Sequence, residues 1–209
     1  MPCATATVQY MTEGDIARVG GLLLAAGGST RFGSPKQLAE YKGKTLIRRA
    51  AEALSGVGLS AIVVVLGSCV EECSAEIRDL DLSIVINDHW QTGMSSSIKA
   101  GLAKLLKLDP EIDGVLITLM DQPLVTAEHL AGFIERFRAD RPNVIAAEYG
   151  GITGVPALFS RRLFDELLKL EGDQGARSIV RKRMDLSKVR LEKAAADLDT
   201  LEELRNLSN

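Results

Sequence analysis

With 209 residues the chain is long enough for one domain with a sizeable core, and at 46% hydrophobic and 25% charged it has a globular rather than a disordered composition. A formal net charge of -3 gives no support for a nucleic-acid surface. No apolar run is long enough to span a bilayer, residues 1–18 lack the apolar stretch of a signal peptide, and the odd cysteine count of 3 suggests a reducing, cytoplasmic setting.

In chain order, residues 1–18 read as a loose arm. Leu22 to Ala26 then forms an apolar run without polar alternation, the pattern of a strand buried on both faces. It ends in Gly27 and Gly28, followed by Ser29, Thr30, Arg31, Gly33 and Lys36. Glycines let backbone N–H groups approach a ligand closely, and an arginine fork with a mobile lysine suits phosphate oxygens. The spacing fits neither a Walker loop nor a dinucleotide Gly-x-Gly-x-x-Gly. The alternative is a glycine-rich surface turn with two solvated basic residues.

Residues 45–54 read as a helix, 60–66 as a strand, 69–79 as a helix and 82–86 as a strand, an alternation that predicts a parallel sheet. The polar loop 87–97 follows, where open α/β sheets place ligands, and Ser95 is expected to cap the next helix. Cys69 and Cys73 lie four apart without a metal-ligating partner nearby, so buried thiols are expected there. Residues 114–120 form another apolar strand, ending in Asp121, Gln122 and Pro123. That carboxylate is either a hard oxygen ligand for magnesium or an acceptor of turn N–H bonds. A helix over 126–139 is capped by Thr126, with His129 either solvated or a general base. A strand over 144–147, a shaped loop over 150–159, helices over 160–170 and 176–183, and a terminal helix with an Asp199–Glu202 capping box complete the reading. No domain boundary is indicated.

LAAGGSTRFGSPK resembles the signature of Rossmann-like nucleotidyltransferases, closest to the molybdenum cofactor cytidylyltransferase branch of the MobA-like group. NDHWQTGMSSSIKAGL, LMDQPLV, GITGVPALF, GDQGAR and DLDTLEEL resemble further motifs of that branch, in order, with Leu201 and Glu203 replacing the family's Pro and Asp. The resemblance implies an α/β fold, a single-domain Rossmann-like three-layer sandwich with a mostly parallel sheet. It also implies magnesium-dependent transfer of CMP from CTP to the terminal phosphate of molybdopterin, for a molybdenum hydroxylase apoenzyme.

By the family pattern, Ala25, Ala26, Gly27, Gly28, Ser29, Thr30 and Gly33 wrap the nucleotide, and Arg31 and Lys36 neutralise its phosphates. Asp121 holds Mg2+, with Asp199 as a second ligand; Asp197 remains an alternative. Asn87, Gly93 and Ser97 lie near base, ribose or acceptor, while Gly154, Pro156 and Asp173 shape the acceptor side. Leu24-Ala25-Ala26-Gly27, where guanylyl-transferring relatives have Leu-Ala-Gly-Gly, points to CTP. GTP, another phosphorylated acceptor such as a sugar phosphate, and a noncatalytic cofactor carrier are the alternatives.

Overall fold

In the computed structural model, which describes residues 16–28, 32–195 and 203–204, the apolar run becomes β1 (Val19–Ala25), buried at every position. Its side chains alternate between two separate cores. Leu23 and Ala25 join one cluster with Leu46, Ile47 and Phe133, while Leu22 and Leu24 join the other with Ile98, Leu102 and Phe159. Helices on both faces therefore explain the missing polar alternation.

A small hairpin, β2 (Glu40–Tyr41) and β3 (Lys44–Thr45), leads into α1 (Leu46–Ser55). Thr45 caps that helix by accepting from Arg48 N at 3.3 Å. Next come β4 (Ala61–Leu66), α2 (Val70–Ile77), β5 (Ser83–Ile86), α3 (Met94–Leu108), β6 (Gly114–Leu119) and α4 (Ala127–Asp140). After them run β7 (Val144–Tyr149), β8 (Ile152–Ser160), α5 (Phe164–Leu168), α6 (Arg177–Arg181) and β9 (Ser187–Arg190). The 7-stranded sheet has the order β5-β4-β1-β6-β8-β7-β9. All its neighbours pair in parallel except where β8 meets β6 and β7. The expected three-layer, mostly parallel architecture is the one observed.

Four expectations are corrected. Residues 150–159 are not a shaped loop. Gly150 and Gly151, at φ 53° and 75°, make a two-residue hairpin turn, and the chain returns as β8. Gly154 and Pro156 therefore sit in a strand, and the register shift between Ala146 and Ala147 absorbs a proline that cannot donate to a ladder. Ser95 is not the cap of α3; Gly93 holds that position. The helix expected over 160–170 is a 3-10 turn at Arg161–Leu163 followed by the short α5. His129 is used structurally, because its Nδ1 accepts from Thr126 N at 3.1 Å at the start of α4; burial lowers its pKa.

Residues 16–18, the described end of the expected arm, are tied down: Ala17 is buried and Arg18 N donates to Asp113 Oδ2 at 2.8 Å. The Asp199–Glu202 capping box lies outside the described residues.

Candidate active site

The carboxyl ends of β1, β4 and β6 lie side by side, and the strand order reverses at β1, with β4 and β5 following on one side and β6, reached from β5 through α3, on the other; at such a switch point doubly wound sheets open a crevice. Here a cleft of about 580 Å³ is lined by Ala25, Ala26, Gly27, Ser97, Asp121 and Asp173, with Trp90, Gly93, Met94 and Met120 among the others.

Asp121 lines the cleft and meets Lys36, 85 positions away in sequence, beside it. Lys36 Nζ donates to Asp121 Oδ2 at 2.9 Å, with side-chain exposures of 7% and 24%. Asp121 Oδ1 is buried and accepts no hydrogen bond. A partnerless carboxylate oxygen beside a bound cation is costly unless something is meant to arrive there.

The loop after β1 is fixed by a residue the sequence reading missed. Gln37 is fully buried. Its Nε2 donates to Ala25 O at 3.0 Å, Gly27 O at 2.7 Å and Ser68 Oγ at 3.1 Å, and Ser68 Oγ donates to Gly27 O at 2.8 Å. Because peptides are trans, drawing those carbonyls towards Gln37 turns the N–H groups of Ala26 and Gly28 the other way. The only signal was an amide directly after Lys36. Gln37→Leu is expected to cost about 2–3 kcal/mol of stability by orphaning buried acceptors, and to raise the KM for a triphosphate severalfold. Urea melts and nucleotide titrations check both.

Trp90 supplies the outer wall. A Cβ on Gly28 would lie 2.4 Å from the indole, and one on Gly67 would lie 2.6 Å from it. The tryptophan is thus keyed between the loops that follow β1 and β4, which gives Gly28 a packing reason beyond any ligand. Asn87 does not line the cleft. It is buried behind it, donating to Ser96 Oγ at 2.8 Å and Ser97 Oγ at 2.9 Å and accepting from His89 N at 3.0 Å.

On the far side, Gly93 stands against the backbone of Gly172, Ser95 N donates to Gly172 O at 3.2 Å, and Gly175 packs on the Met94 sulfur. These contacts dock the 172–175 turn on the start of α3 and bring Asp173 to the cleft. Gly33, at φ 76°, is an exposed turn residue outside the lining. Gly154 and Pro156 are also outside it, reached through Gln122, whose Nε2 donates to Val155 O at 3.1 Å and Ala194 O at 3.0 Å. Ser29, Thr30, Arg31, Asp197 and Asp199 lie outside the described residues. Among the described residues no three His, Cys, Asp or Glu cluster as a metal site, and no helix is long and apolar enough to cross a membrane.

A strand-ending glycine loop, a lysine and a carboxylate around one cleft is a layout for phosphate chemistry, and the sequence profile of the MobA-like NTP transferase domain matches residues 21–189, nearly all of the sheet. The chain belongs to the MobA-like NTP transferase family. Among similar proteins is the nicotine blue oxidoreductase of Paenarthrobacter nicotinovorans, 31% identical over 209 residues covering 94% of this chain and 100% of that one. Another is the probable molybdenum cofactor guanylyltransferase of Geobacillus sp. (strain WCH70), 26% identical over 156 residues, 73% of this chain and 75% of that one. The crystal structure of Rv0371c from Mycobacterium tuberculosis H37Rv superimposes with a TM-score of 0.78 at 26% identity, over 92% of this chain and 98% of that one. The same protein has been solved in complex with manganese. Within the MobA-like frame, Lys36 and Asp121 are the described polar pair at the join between β1 and β6.

Proposed function

We propose that the chain transfers CMP from CTP to the terminal phosphate of molybdopterin, in the cytoplasm, for insertion into a molybdenum hydroxylase apoenzyme. The observation that carries the proposal is the Lys36–Asp121 pair with its partnerless Oδ1, set under the glycine loop. An oxygen of the acceptor phosphate bonds to the α-phosphorus as the α–β bridging P–O bond breaks, and the electron pair leaves with pyrophosphate. The acceptor is itself the nucleophile, so a side-chain nucleophile is unnecessary.

Asp121 Oδ1 has the chemistry to hold a hard divalent cation. Asp121 would hold Mg2+, with Asp199 as the second ligand, and the ion would offset charge on the triphosphate. Lys36 is within reach of both the carboxylate and the phosphates, so it neutralises whichever is present. Ala25 to Gly33 and Ser97 hold the nucleotide, Arg31 its phosphates, and Gly93 and Asp173 the boundary with the acceptor.

Ala26 lines the cleft where guanylyl-transferring relatives carry glycine, and one methyl in a base pocket is worth about 1–3 kcal/mol of discrimination. Ala26→Gly is therefore expected to move the CTP-to-GTP ratio of kcat/KM towards GTP by about 10-fold. Pyrophosphate release from each nucleotide, with magnesium and with or without molybdenum-loaded molybdopterin, measures this and tests the reaction. Release confined to CTP plus cofactor supports the proposal; release with GTP corrects the base; release with a sugar phosphate corrects the acceptor.

The full-length match to nicotine blue oxidoreductase favours a second reading, an oxidoreductase acting on a planar acceptor held against Trp90 and Met94. That reading requires turnover that consumes a reduced dinucleotide and releases no pyrophosphate.

A further inference from the structure

Among the described arginines, only Arg78, Arg162, Arg177 and Arg181 give no side-chain hydrogen bond or ion pair. Three of them are exposed, where water satisfies the guanidinium. Arg177 is half-buried, and its Nε is shut off from solvent without a partner. Arg49 and Arg183 also have a partnerless Nε, but each binds through another nitrogen, to Pro123 O at 3.2 Å and to Glu166 at 2.8 Å. A buried guanidinium N–H without an acceptor is costly, so Arg177 is a candidate for a ligand that supplies one.

Its position relates it to the cleft. The Arg177 Cδ lies 3.7 Å from where a Cβ on Gly154 would be, and Tyr149 Oη, 2.7 Å from that point, fills the space the glycine leaves, so the arginine stem and the tyrosine pack together over β8. The β6–β8 ladder ends at Ile117 and Ala157; beyond it Gln122, the residue after Asp121, reaches Val155 O, one position from Gly154. Val155 O, held by Tyr149 Oη at 3.2 Å and by Gln122 Nε2, ties the two strands together there. In the sheet order β6 lies between β1 and β8. Asp121 therefore has the glycine loop on one side and Arg177 on the other.

We infer that Arg177 binds the phosphate monoester of the acceptor, holding it on the β8 side while the triphosphate occupies the β1 side. A guanidinium fork matches phosphate oxygens in bidentate fashion and keeps its charge at any working pH, as positioning of a dianionic nucleophile requires. The inference deepens the proposed transfer reaction and rests on it for the identity of the acceptor, though not for its phosphate.

Two measurements separate them. With magnesium and a nonhydrolysable CTP or GTP analogue filling the nucleotide loop, inorganic phosphate is titrated calorimetrically into wild type, Arg177→Lys and Arg177→Met, whose thermal midpoints are recorded alongside. Phosphate affinity is expected to drop at least 10-fold in Arg177→Met and less in Arg177→Lys, with nucleotide affinity unchanged within about twofold. In steady state the same change should appear in the KM for the phosphorylated acceptor and leave that for CTP in place. Equal phosphate affinity in wild type and Arg177→Met overturns the inference whatever turnover shows. Loss of phosphate binding in a protein that transfers no CMP supports it and overturns the cytidylyl reading instead.

Discussion

Asp121→Asn is expected to lower kcat by about 10³-fold or more, the range seen when a preorganised electrostatic partner of a transition state is removed. The amide keeps the shape and can still accept from Lys36, but it removes the charge that a divalent cation requires at Oδ1. Stability falls too. Lys36 is 7% exposed, so neutralising Asp121 weakens the compensation of a cation held in poor solvent. A loss of about 1–2 kcal/mol, or roughly 2–8 °C in a domain of this size, is expected. Kinetics and thermal melts on the same preparation check the two effects. A rate loss no larger than the stability loss explains would make Asp121 a purely structural anion.

Gly93→Ala carries the second large effect. Gly93 has φ 114° and ψ 169°, a region open in practice only to glycine, and its Cβ would come within 2.6 Å of the Asp173 backbone N as it pressed on Gly172. Backbone strain of about 1–3 kcal/mol adds to overpacking of similar size. The collision is with backbone, so no rotamer relieves it, and the 172–175 turn must leave the start of α3 or α3 must unwind. We expect a thermal midpoint lower by about 10 °C and an acceptor KM raised about 10-fold, with the KM for the nucleotide moving less. A variant that melts like wild type and keeps both constants would show that the docking of Asp173 is incidental.

The parallel half of the sheet was legible because strands buried on both faces carry the simplest pattern in a sequence. Val63, Val64 and Val65 have no polar alternation, since helices cover both sides. The antiparallel return was hidden by residues that usually punctuate. Pro156 lies within a strand only because a bulge excuses its missing donor, although the Gly150-Gly151 pair between two β-rich runs was a hairpin signal. In the site, Asp121 and Lys36 could be picked from local sequence because charge beside a strand end is conspicuous. The packing role of Trp90, the loop anchoring by Gln37 and the unsatisfied Arg177 needed the fold, because each is defined by what surrounds it 10 to 62 positions away or, for Arg177, by what does not. Asn87 looked like a ligand for the opposite reason: a polar loop residue next to a crevice reads the same whether it faces the ligand or, as here, braces Ser97 from behind.

The central claim is the transfer itself, and CTP labelled on its α-phosphate tests it most directly. Incubated with the protein, magnesium and molybdenum-loaded molybdopterin, the label should move into a cofactor product in step with pyrophosphate release, and should not move in Asp121→Asn. Label that stays in CTP, or that appears only as free CMP, while a reduced dinucleotide is consumed in the presence of a planar acceptor, would contradict nucleotidyl transfer and assign the cleft to redox chemistry.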